Sequence, residues 1–170
     1  MRAYFMKSNR LGFSHWCGGD AGLALGLWGD PAVSRYTGGP FTDEQVMARL
    51  TREIDTLDRH QIQYWPVFLR ESGEHIGCCG LGPPREAEMD VYEMGFQLRR
   101  CHWGVGLARE AAVVVIAHSF EVLGARALIA GHHPENAASR HLLRTLGFRY
   151  THDEFYAPTQ LMEPCYRLER

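Results

Sequence analysis

The sequence predicts an α+β fold in a single domain. Three observations point there. The chain has 170 residues, enough for one domain with a real core. Strand-like and helix-like segments follow one another with no linker, internal repeat or low-complexity stretch to divide them. The second half runs from a strand (VYEMGFQL, 91–98), through a turn with two glycines, into a helix-like stretch that reaches about Leu123. A second strand, ARALIAG at 125–131, follows.

The other elements are read in chain order. Leu11 and Phe13 alternate with their neighbours and suggest a first strand. Asp20 could cap a short helix through Trp28, stopped by Gly29-Asp30-Pro31. Thr42-Asp43-Glu44-Gln45 has the form of a capping box, and Val46, Leu50, Ile54 and Leu57 then recur at helical spacing. Residues 63–70 and 75–81 read as strands joined at Glu71–Glu74, with Ser72-Gly73 as the turn. Pro66 argues for an edge or a bulge in the first of them. A Pro-rich loop at 83–88 precedes the strand at 89–98. A helix at 105–123, the strand at 125–131 and a helix at 136–146 lead to one or two closing strands, in 148–156 and 164–170.

Composition excludes several classes of function. Hydrophobic residues make up 45% and charged residues 22%, which predicts a soluble globular protein. The net charge is −2, so no electrostatic footprint for nucleic acid or an anionic membrane is expected. No apolar run approaches a membrane span, and the opening MRAYFMKSNR lacks a signal peptide's apolar segment. The five cysteines (Cys17, Cys78, Cys79, Cys101 and Cys165) are odd in number, which predicts free thiols and a cytoplasmic location. With no CxxC pair and no helical His-x-x-x-His pair, no metal is predicted; His132, His133 and His141 read as surface or cleft residues. Trp16 and Trp28 read as core.

The run HWGVGLAREAA (102–112) carries the chemistry. Gly104 and Gly106, between a strand and a helix, let backbone N–H groups point at an anion where the helix N-terminus adds partial positive charge. A dinucleotide fits poorly. The third small residue of G-x-G-x-x-G/A is Arg109 here, and no acidic residue ends the strand at 125–131. A nucleoside-triphosphate loop fails too, because no Gly-Lys-Ser/Thr follows.

Residues 133–148 read HPENAASRHLLRTLGF. W-G-x-G-x-A-x-E-A, followed by N-x-x-S and L-G-F, resembles the GCN5-related N-acetyltransferase (GNAT) family. The opening segment 9–39 and the hairpin ESGEHIGCCGL (71–81) resemble its RimJ/RimL-like branch, which acetylates N-terminal amines of ribosomal proteins. The resemblance covers roughly residues 9–150 and implies an acyl-coenzyme A fold: a mixed central sheet splayed around the cofactor, with a βαβ unit over the second half and helices on both faces. The single domain, 1–170, then divides into an acceptor-side region (1–62), a central hairpin with coenzyme A strand, pyrophosphate loop and helix (63–131), and a second cofactor helix with closing strands (132–170). The implied reaction is acetyl transfer from acetyl-coenzyme A to a primary amine, on a protein N-terminus or a small molecule such as an antibiotic, polyamine or amino acid. A non-catalytic acyl-coenzyme A binding module is the alternative. Monomer and homodimer are both left open.

The resemblance also implies a site. The pyrophosphate would lie on the amides from Cys101 to Ala108, taking in Trp103, Gly104, Val105, Gly106 and Leu107. The family's Gln/Arg position is Cys101 here, so Arg99 or Arg100 would supply charge. The pantetheine arm would pair with Phe96, Gln97 and Leu98, and an N–H near Met94 to Phe96 would polarise the thioester. Gly95, inside an apolar strand, fits a bulge or a close approach. Alternation puts Val91, Glu93, Gly95 and Gln97 on one face. A carboxylate there suits a general base, Glu93, for an amine that is mostly protonated at neutral pH. Asn136 reads as an N-cap, and in the related enzymes it holds the pantetheine arm. Where many acetyltransferases have a Tyr to protonate the leaving thiolate, this chain has Leu143, so Ser139 is the expected donor. Apart from the resemblance, Tyr36 and Trp65 read as core by default, with a place lining the acceptor cleft as the alternative.

Overall fold

Eight strands form one sheet in the order β1-β2-β3-β4-β5-β6-β8-β7. A computed structural model describes residues 2–84 and 88–170; the predicted loop at 83–88 lies partly outside the described residues. The strands are β1 (Met6–Lys7), β2 (Leu11–Phe13), β3 (Tyr64–Leu69), β4 (His75–Gly82), β5 (Val91–Leu98), β6 (Ala127–Gly131), β7 (Arg149–Tyr156) and β8 (Leu161–Glu169). The helices are α1 (Ala21–Trp28), α2 (Pro31–Ser34), α3 (Asp43–His60), α4 (Leu107–Glu121) and α5 (Ala137–Thr145). All neighbours run antiparallel except β5 and β6, which are parallel and joined by the α4 crossover. The α+β expectation is met, with helices on both faces.

The helix ends follow from local chemistry. Thr42 accepts from the Gln45 amide at 3.3 Å and Gln45 accepts from the Thr42 amide at 2.9 Å, a complete capping box. Val46 and Leu50 are then buried, with Trp28, Leu27 and Cys78, beneath α1 and α3. On the other face, Leu107, Ala111, Ala112 and Val115 of α4 and Leu143 of α5 pack on Leu81, Met94, Leu98 and Leu128. The sheet is therefore the middle of three layers, and β4 supplies both cores, Cys78 to one and Ile76, Cys79 and Leu81 to the other.

Several details differ from expectation. The two-residue β1 is too short to carry a periodic signal. Gly29-Asp30-Pro31 ends α1 but also starts the one-turn α2, with Asp30 capping the Ala32 amide at 2.8 Å. Asp20 stands at the N-cap of α1 without capping it; its carboxylate takes the Cys17 amide and the Arg2 guanidinium instead. Pro66 does not mark an edge, since β3 lies between β2 and β4; the register shifts one residue later, between Val67 and Phe68. Gly95 is not a bulge, because β4 and β5 pair without a shift from Gly77–Leu98 to Gly82–Glu93. It is a close approach: a Cβ there would lie 2.7 Å from the Tyr64 ring.

Candidate active site

The open edge of β5 organises the site. β5 pairs with β6 only from Val91 to Glu93, opposite Ala127 to Ile129. Beyond Glu93 the two strands separate. The Arg99 amide donates to the Ile76 carbonyl at 2.8 Å, continuing the β4–β5 ladder. Antiparallel alternation then turns the backbone groups of Gln97, Gly95 and Glu93 toward β4, and those of Phe96 and Leu98 into the gap. A parallel pair that parts in mid-strand leaves such groups without a ladder partner.

The gap ends at the glycine turn. A 3₁₀ turn at Arg100–His102 uses the His102 and Trp103 amides, bonded to Arg99 and Arg100. The exposed Trp103 indole donates to the Leu98 carbonyl at 2.7 Å and pins the turn to the strand end. Gly104 and Gly106 have φ of +76° and +80°, the left-handed region that favours glycine. No heavy atom lies within 4 Å of a Cβ built on Gly104. The first intrahelical bond of α4 runs from Glu110 N to Gly106 O. The amides of Gly106, Leu107, Ala108 and Arg109 therefore have no acceptor within the helix, and they face an anion-binding corner.

Across the gap stands α5. Asn136 Oδ1 accepts from the Ser139 amide at 3.1 Å, so Asn136 is the N-cap. Ser139 is half-buried in the first turn, and Leu143, one turn on, is buried in the core.

The other face of β5 lines a cleft. Glu93 is exposed, so the cost of burying an acid inside a strand does not arise. An added Cβ at Gly82 would lie 3.2 Å from the Tyr64 hydroxyl and 3.7 Å from Glu93 Cβ, so the missing side chain lets the phenol approach Glu93. Burial and then the Glu93 charge push the Tyr64 hydroxyl well up. Burial, Glu93 and Glu163 push Tyr156 up as well. Both phenols stay protonated beside the carboxylate. Tyr36 and His133 bring their rings within 5.0 Å of each other, joining the segment after α2 to the one before α5 across the cleft mouth.

An acetyltransferase (GNAT) domain model matches residues 10–149. An uncharacterized N-acetyltransferase, p20, of Bacillus licheniformis is 33% identical over 132 residues, 76% of this chain and 74% of that protein. This chain belongs to the GNAT acetyltransferases. An acetyltransferase from Agrobacterium tumefaciens has the same fold, with a TM-score of 0.83, 22% identity and coverage of 100% of this chain and 99% of that one. A ribosomal-protein-S5-alanine acetyltransferase from Vibrio fischeri has a TM-score of 0.74 and 17% identity, covering 98% and 96%.

Within this GNAT domain some predicted residues stand elsewhere. Trp65 is 1% exposed and packs against Phe5 and His118 on the α4 side, so it offers an acceptor no surface. Gln97 has its backbone turned to β4, and its side chain accepts from the Trp28 indole at 3.1 Å and donates to Thr37 at 3.3 Å. It positions α1 and the segment after α2, and leaves little for a cofactor. Arg99 turns under α1, its Nη2 2.8 Å from where a Gly26 Cβ would be, away from the glycine turn. Arg100, the other expected cation, is exposed in the 3₁₀ turn itself, and a further cation at the turn is Arg10, whose Nη1 donates to the Val105 carbonyl at 3.1 Å. Glu110, the acid of the sequence motif, accepts from Ser8 at 2.6 Å and from Arg10 N and Nε at 2.9 and 2.6 Å. Burial alone would raise its pKa; those hydrogen bonds outweigh it and hold the carboxylate below its ordinary range. Nothing local marks these residues: Arg10 is brought to the glycine turn, and Tyr64 and Tyr156 to Glu93, by contacts between segments distant in sequence.

Proposed function

We propose that this N-acetyltransferase acetylates the terminal amine of a peptide or protein chain by direct attack, with Glu93 as general base. The observation that carries the reading is the divided β5: its open edge faces the glycine turn, and its Glu93 side chain faces the cleft. Acetyl-coenzyme A, when bound, supplies the activated acyl group. The amides from Cys101 to Ala108, less those of His102 and Trp103, receive its pyrophosphate. The Phe96 backbone and the Leu98 N–H hold the pantetheine arm, joined by the Asn136 side-chain nitrogen Nδ2, which the cap leaves to a ligand. The Phe96 N–H polarises the thioester carbonyl. Glu93 takes the amine proton through water, and the Ser139 hydroxyl donates to the leaving thiolate.

The acceptor class rests on the cleft's surroundings. β7 is exposed along nearly its whole length and its last residue, Tyr156, lies near Glu93, which leaves a bare strand beside the base for the residues behind a terminal amine. The V. fischeri enzyme, named for a ribosomal-protein alanine acceptor, shares the fold. A thiol-release assay across peptides and small amines tests the reading. Higher kcat/KM for peptide N-termini is expected; preference for a polyamine or an aminoglycoside would reassign the acceptor. Stabilisation by acetyl-coenzyme A with no turnover on any amine would make the chain a binding module.

Two variants test the machinery. Gly104→Val forces a β-branched residue to positive φ, at about 1–2 kcal/mol of stability. Losing one amide–phosphate hydrogen bond costs about 1.5–3 kcal/mol, so desulfo-coenzyme A affinity is expected to fall about ten- to a hundredfold. Unchanged affinity in the folded variant would mean that the turn is only a turn. Ser139→Ala is expected to lower kcat about ten- to a hundredfold. The melting point should hold, because the Asn136 cap uses the Ser139 backbone amide, which alanine keeps. A normal kcat with a lowered melting point would assign Ser139 to the helix alone.

A further inference from the structure

The bare strand β7 and its neighbour β8 carry a second cluster of reactive side chains. His152 and Glu154 are two apart on β7 and point to the same face. Cys165 of β8 stands directly opposite His152 in the register, and Glu163 opposite Glu154. One ligand atom from each of His152, Glu154 and Cys165 lies within 4.8 Å of the others. The Cys165 Sγ to Glu154 Oε2 distance is 3.7 Å. Thiolate and carboxylate ligands of a tetrahedral zinc ion, at about 2.3 and 2.0 Å from the metal, stand about 3.5 Å apart. The pair is already at nearly that spacing.

We propose that His152, Glu154 and Cys165 form a site for a thiophilic divalent cation of the zinc class. Three donors of different softness decide the ion. Thiolate and imidazole suit zinc, whereas magnesium and calcium take oxygen ligands alone. Three protein ligands leave the fourth tetrahedral position to water. Cys165 binds as the thiolate, so its thiol proton passes to solvent on binding. The imidazole is prepared by a neighbour. The Thr151 hydroxyl lies 3.2 Å from the Cys165 carbonyl and 3.0 Å from His152 Nδ1. With its single proton given to the carbonyl, that hydroxyl accepts from Nδ1–H and leaves the Nε2 lone pair for the ion. This site has no sequence signature, because its ligands are separated by a hairpin and match no metal motif. An ion here would clamp β7 to β8, whose connecting turn reaches the acceptor side: a Cβ at Gly38 would lie 2.7 Å from the Pro158 carbonyl.

Cobalt(II) titration of the chelator-treated protein tests this. One ion per chain is expected, with a thiolate-to-cobalt band in the near ultraviolet and tetrahedral d–d bands, both removed by one equivalent of zinc. Cys165→Ser should abolish the near-ultraviolet band. Cys17 and Cys101 are exposed thiols, whereas Cys165 is half-buried, so a band that survives Cys165→Ser would overturn the assignment. Thr151→Val should weaken zinc binding about 10- to 100-fold, and His152→Ala and Glu154→Gln by at least as much. Zinc affinity unchanged in folded His152→Ala, or displacement of zinc by millimolar magnesium, would also overturn it. A thermal melt of each variant without metal separates loss of the site from loss of the fold.

Discussion

Glu93→Gln is expected to lower kcat about a hundredfold or more at neutral pH, with coenzyme A affinity retained. Affinity is retained because the two roles of β5 are separated by geometry. In the proposed mode coenzyme A meets the edge of the strand and the glycine turn, while the Glu93 side chain lies on the exposed face. The amide of Gln keeps the shape and loses the proton-accepting charge. The defect should shrink as pH rises toward the pKa of the acceptor amine, since a neutral amine needs no base. Steady-state rates from neutral to alkaline pH would show this. Near wild-type kcat across the range would assign Glu93 to the cleft wall alone. Tyr64 and Tyr156 sharpen the expectation. Both are held protonated beside Glu93, so neither phenol can replace the missing carboxylate as base.

How much of this was legible in the sequence depends on the range of the interaction involved. The capping box at Thr42, the Ser72-Gly73 turn and the glycine turn are local, and the structure has all three. Alternation placed Glu93 and Gln97 on one face. It could not say which of two ladders would take each backbone group, and that decides that Phe96 faces the gap and Gln97 does not. Tyr64 and Trp65 are adjacent aromatics on one strand, so they must face opposite ways. No local signal says which way is core: Trp65 is core, its default reading, and not a cleft residue, while Tyr64 lies near Glu93. Glu110 shows the same limit from another side. Its place in the motif was visible, but its partners, Ser8 and Arg10, are about a hundred residues away.

A buried histidine should make this fold acid-sensitive. His75 starts β4 and is 4% exposed, packed between Trp16 and Phe68 with ring centroids 5.3 and 5.2 Å away. Among the described residues neither ring nitrogen makes a hydrogen bond of good geometry. Burial first, and then the Arg99 guanidinium, lower its pKa from 6.5 to about 4; the nearby Gly77 backbone opposes the shift, Arg2 adds to it and Asp20 opposes it. Below pH 6.5 the unfolded chain takes up a proton that the folded ring refuses. The contribution is therefore fully present above pH 6.5 and is lost as pH falls toward about 4, where the folded ring protonates too. The loss over that window is about 3 kcal/mol, a large share of the 5–15 kcal/mol typical of a domain. His75→Leu removes the proton site and two buried polar atoms at similar volume. Its stability, from urea melts between pH 4 and 8, is expected to fall less steeply below pH 6.5 than that of the parent. At pH 7.5 it should equal or exceed the parent, because a neutral ring with unpaired nitrogens costs more to bury than an apolar side chain. Parallel curves for the two proteins would show that His75 reaches solvent readily enough to titrate as a free imidazole.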